Sequence, residues 1–142
     1  MNPHTLEARG QRDEWTITTE PHTGGRMLVL DRDEWIVQVA FDGSAPAFAQ
    51  IRKPGMEGFQ HLDRRDIARY VRGDRAAMSA FRIGDRAAVG ERVGTVINIY
   101  VEAGSDPGRP GKVRLRVAYD LGGHADPYTT FATRLQEASC AR

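Results

Sequence analysis

The chain has one cysteine, Cys140, and only two lysines, Lys53 and Lys112, among its 142 residues. A lone thiol forms no internal disulfide, so stability must come from an ordinary core, and a reducing, cytoplasmic compartment is the expectation. No run approaches the roughly 18 apolar residues of a membrane span, and no charged start followed by an apolar stretch marks a secretion signal, so no membrane partner is expected. Charge of one sign is lacking too, the formal net charge being +1. Through residue 80 there are 11 Lys and Arg against 12 Asp and Glu, and beyond it 9 against 7. Neither half is a polycation. Affinity for a phosphate backbone comes mainly from surplus cations, so a dedicated nucleic-acid binder is disfavoured. The preponderance of Arg with Ala and Gly matches what a GC-rich bacterial genome encodes.

Chemistry-bearing motifs are equally scarce. His4, His22, His61 and His124 are scattered, and none stands at metal-ligand spacing from another ligand type. No metal or cofactor is therefore expected. His61 lies near Asp63 and His124 near Asp126, but Asp63 reads as a helix cap and Asp126, before Pro127, as turn chemistry. The glycine-rich stretch ending in Gly111-Lys112 fails as a phosphate loop: Asp106 stands where the first glycine is needed, Val113 follows the lysine, and a strand follows. It reads as a hairpin loop.

What the chain does have is alternation. Residues 1–13 carry no apolar run and are expected to form a flexible N-terminus, and 138–142 a flexible tail. Residues 14–60 read as an antiparallel β unit. In it a short β-favouring run at 15–19 precedes a hairpin of 26–30 and 35–41 with a four-residue loop, Asp31-Arg32-Asp33-Glu34. Trp35, Val37, Val39 and Phe41 share one face of the second strand. A weaker strand at 47–51 follows. Residues 61–80 form a helical connector, capped by Asp63 with a stop at Gly73 and a second short helix capped by Asp74. Residues 81–137 hold the clearest strands. One runs 95–102, with Val93, Thr95, Ile97, Ile99 and Val101 opposed to Val96, Asn98 and Tyr100. The next places Val113, Leu115, Val117 and Tyr119 inward and Lys112, Arg114 and Arg116 outward. A last strand at 129–133 and a helical turn at 134–137 complete the unit. The expected class is α+β, mainly β.

Gly84-Asp85-Arg86, the Gly94-Thr95-Val96 step, the strand at 113–120 and a final short strand ending near Leu135 resemble the SH3-like small barrels, the group that includes KOW and Tudor-type modules. That resemblance covers about 55 residues and implies a scaffold that binds peptide, RNA, DNA or another chain, without saying which. The plasmid-type dihydrofolate reductases use such a barrel as well, but their active-site Val-Gln-Ile-Tyr is replaced here by Tyr128-Thr129-Thr130-Phe131, and their activity is not carried over.

Two basic surfaces are candidate sites. Asn98 and Tyr100 on one strand with Lys112, Arg114 and Arg116 on the next would form a basic strip with an aromatic, suited to single-stranded nucleic acid or to an acidic peptide. The alternative is that Val96 and Tyr100 are covered by the N-terminal unit. Arg65, Arg69 and Arg72, at i, i+4 and i+7, would share a helix face. The leading expectation is a non-enzymatic binding module acting through contacts with a protein partner or with itself. Second comes a nucleic-acid-binding accessory protein, and third a small enzyme with a site between the two β units involving His61 and Asp66.

Overall fold

The computed structural model describes residues 1–103 and 109–135. It is mainly β, with 46% strand against 19% helix, and both of its sheets are antiparallel. The chain divides into two compact units, Met1–Arg72 and Gly73–Arg142.

The first unit opens on a helix, α1 (Pro3–Arg12), where sequence patterning led to the expectation of a flexible segment. Asn2 caps it, its side chain accepting the Thr5 N–H at 2.8 Å, and Pro3 fits the first turn, where its missing N–H has no bond to lose. Its buried apolar side chains are Leu6, fully buried, and Pro3. Gly10 allows a close approach: a Cβ there would lie 2.7 Å from Ile17 Cδ1 and 2.9 Å from Leu30 Cδ2. So small an apolar content gives no periodic signal, and tertiary packing supplies the order instead.

A meander follows, β1 (Thr16–His22), β2 (Gly25–Arg32), β3 (Trp35–Asp42) and β4 (Ala45–Arg52), with β5 (Gln60–His61) at the far edge. The β2–β3 loop has two residues, Asp33 and Glu34, not the expected four. Both adopt positive φ, 51° and 71°, the twist that a two-residue hairpin demands and that non-glycine residues rarely signal in sequence. Trp35, Val37, Val39 and Phe41 do line one buried face, with Leu28, Leu30 and Ile51 beside them. A 3-10 turn (Arg64–Asp66) and a five-residue helix, α2 (Ile67–Val71), close the unit. Val71 O accepts from Trp15 Nε1 at 2.9 Å, and Tyr70 packs on Trp35 with ring centres 6.0 Å apart.

The second unit begins with α3 (Arg75–Met78), capped by Asp74, whose Oδ2 accepts the Ala77 N–H at 3.0 Å. Its sheet comprises β6 (Arg86–Val89), β7 (Arg92–Val101), β8 (Val113–Tyr119), β9 (His124–Ala125) and β10 (Thr133–Leu135), in the order β10-β6-β7-β8-β9. The expected strand at 129–133 is instead a 3-10 turn (Thr129–Phe131) leading into β10, so Arg134 and Leu135 are strand rather than helix. Among the described residues the sheet does not close into a barrel, since β9 and β10, of two and three residues, pair only with β8 and β6. Val113, Leu115 and Val117 are buried as expected. Strand β7 departs from simple alternation: its register with β8 jumps from Val96 opposite Val117 to Asn98 opposite Arg116. The extra residue, Ile97, is 48% exposed, while Val96 is fully buried along with Ile99 and Val101. Val96 is thus not an outer-face partner of Asn98 and Tyr100. Residues 104–108, 136–137 and the expected tail 138–142 with Cys140 lie outside the described residues.

Candidate protein-binding site

The β7–β8 ladder brings the five residues of the basic strip together, setting Asn98 opposite Arg116 and Tyr100 opposite Arg114, with Lys112 just before β8. The fold adds three groups that strand alternation alone does not reveal. Glu102, just past the end of β7, receives Arg114 Nε at 2.6 Å and the Tyr128 hydroxyl at 3.2 Å. Asp126 takes Arg116 Nε at 3.1 Å and the Tyr100 hydroxyl at 3.3 Å on one oxygen, while its backbone carbonyl accepts from Arg114 at 2.6 Å. Tyr128 bridges to Arg114 through the backbone and stacks its ring 4.0 Å from that guanidinium, with the Lys112 ammonium 5.4 Å away. Asp126 was legible as a turn residue and Tyr128 as an aromatic, but their arrival over β8 depends on the Leu121–Pro127 connection, which carries no periodic signal.

Electrostatics follow from these contacts. The Arg114 and Tyr128 hydrogen bonds hold the Glu102 carboxyl below the usual carboxylate range, and Arg116 does the same for Asp126. Desolvation, then the Asp126 charge, pushes the Tyr100 phenol up. Both acids thus stay ionised and the phenol stays protonated near neutrality. Three cations against two carboxylates leave the strip with little net charge.

The three arginines of the second candidate surface fall on successive elements rather than on one helix. Arg65 extends from the 3-10 turn with its side chain 82% exposed, near Asp63 at 3.4 Å. Arg69 lies on α2, pairs with Asp66 and stands 5.8 Å from the Tyr70 ring, and Arg72 is the residue that ends that helix. His61 is exposed with its ring 6.3 Å from Phe48, and Asp66 is engaged by Arg69. No cluster of three metal-ligand side chains occurs among the described residues.

Beside the strip lies a cleft of about 550 Å³. It is lined by Ala77, Pro110, Gly111, Val113 and residues 128–131, together with the charged residues Asp74, Arg109 and Lys112. Phe131 is 71% exposed there. The 3-10 turn holds it outward: Phe131 N–H bonds to Tyr128 O at 2.9 Å, and Thr129 is the residue of that turn that goes inward. Comparisons of the chain with protein-family models, with curated proteins and with solved structures find no match.

Proposed function

We propose that the protein is a non-enzymatic binding module that acts through protein–protein contacts, with the cleft beside Tyr128 as its docking surface. The observation that carries this reading is Phe131, a large apolar side chain left mostly in water on the wall of a cleft lined chiefly by apolar groups. Its occupant is an extended segment of a partner protein that places an apolar side chain between Phe131 and Pro110 and a carboxylate at Lys112. The charged lining residue Lys112 supplies the charge complementarity, and the apolar lining supplies the burial. Reading the second unit as an SH3-like small barrel accords with this. The support is its strand order, with the last strand beside the first and a 3-10 turn preceding it.

Nucleic-acid binding is the weaker reading because Arg114 and Arg116 are already committed to Glu102 and Asp126 and one ring face of Tyr128 is occupied by Arg114. The test is selection of peptides from a random displayed library on the intact protein, followed by titration of the enriched peptides. Enriched sequences should carry an aromatic or aliphatic residue next to Asp or Glu. Phe131→Ala, an exposed change that leaves the fold intact, should weaken them by roughly tenfold or more. Lys112→Glu should weaken those with a carboxylate selectively. Absence of enrichment, or binding unaffected by both changes, would falsify the assignment.

A further inference from the structure

Beyond the cleft, we infer that the free edge of β1 pairs with β1 of a second copy to join two first units into one continuous antiparallel sheet. Among the described residues β1 is the longest terminal strand of either sheet: it spans seven residues and pairs with β2 alone, whereas the other terminal strands, β5, β9 and β10, have two or three. A row of unpaired amides and carbonyls of that length is a template for another strand.

The hairpin fixes which groups face outward. The two-residue turn closes on His22 opposite Gly25, and such a turn closes on a hydrogen-bonded pair. Alternate residues from there, Glu20, Thr18 and Thr16, therefore exchange bonds with β2, and Ile17, Thr19 and Pro21 turn their backbone groups away from the sheet. Pro21 stands where an edge strand tolerates proline, and its missing N–H ends the free row. At the other end Trp15 N–H is already given to Gly10 O at 2.9 Å. Only Ile17 and Thr19 remain as complete outward pairs of donor and acceptor.

One two-fold register uses both. With the axis at Thr18, Ile17 pairs with the partner's Thr19 and Thr19 with the partner's Ile17, each exchanging two backbone hydrogen bonds. An axis at Ile17 would call on Trp15, and one at Thr19 on Pro21, and neither can donate. The same register sets Glu20, the only full charge between Thr16 and Pro21, opposite the partner's Thr16 and so avoids like charges across the join. It also places Thr18 directly against the partner's Thr18 on the face away from α1.

Sedimentation equilibrium of the intact protein should show a monomer–dimer equilibrium. Thr18→Lys and Thr18→Glu, both solvent-facing changes, should each shift the parent's dissociation constant at least about tenfold toward monomer, and an equimolar mixture of the two should form heterodimers. In a Cys140→Ser background, Thr18→Cys should cross-link to itself under mild oxidation, because a non-hydrogen-bonded pair sets Cα atoms about 4.5 Å apart, within disulfide reach. Glu20→Cys in the same background should not. A monomeric parent at about 100 µM, a dimer indifferent to both charged variants, or preferential cross-linking through the residue 20 variant overturns the inference. None of these outcomes bears on the cleft, which is probed separately with peptides.

Discussion

Lys53 is a lysine inside a core. It is 3% exposed, its ammonium stands 5.4 Å from the Tyr70 ring, and burial, then the Arg69 charge, lowers its pKa from 10.5 to about 8. Below pH 8 both folded and unfolded chains hold the proton, and the cost of burying the charge is felt in full. Between about pH 8 and 10.5 the unfolded chain still holds it while the folded chain has released it. Unfolding then takes up a proton, so stability rises with pH across that window, by up to about 3 kcal/mol. Chemical denaturation measured at pH 7.5 and pH 10 should show the rise, and Lys53→Met should flatten it. A parent whose midpoint does not increase across the window would place the ammonium in water.

At the level of elements, two predictions separate docked structure from pattern. Leu6→Ala should cost about 3 kcal/mol because Leu6 is the fully buried aliphatic side chain by which α1 docks, whereas a frayed segment would lose nothing measurable by denaturant titration. In β7, Val96→Asp should destabilise by several kcal/mol through an unpaired buried carboxylate, while Ile97→Asp should leave the thermal midpoint near the parent's. Strict alternation would place the two residues on the same footing as their neighbours, and the bulge is what divides them. The contrast explains what the sequence could tell. Strand β8 has no bulge, so Val113, Leu115 and Val117 against Arg114 and Arg116 could be read directly from period two. The bulge in β7 inserts one residue at Ile97, and composition carries no mark of it. The strip itself was legible because Asn98, Tyr100, Arg114 and Arg116 lie beyond the bulge on paired strands. Its carboxylates, its Tyr128 stack and the neighbouring Phe131 come from connections, where side-chain direction depends on turn geometry rather than on period.

For the molecule as a whole, a net charge of +1 supplies no long-range field to gather polyanions. A single-stranded oligonucleotide should therefore not be retained at physiological salt, and Arg114→Ala should leave the slope of log affinity against log salt unchanged; a slope reduced by about one unit would assign a phosphate contact to that residue. The two units also differ in the reach of their strand pairings. In the first, β1 to β4 are joined in sequence by two-residue turns, so each strand finds its neighbour as soon as it exists. In the second, β6 takes β10 as its outer neighbour across roughly forty intervening residues, a closure that slows folding. During synthesis the meander can assemble while the ribosome is still making the second sheet. The outer edge of β6 stays bare until Thr133–Leu135 has emerged, and that interval is when a nascent chain would most need shielding from its neighbours.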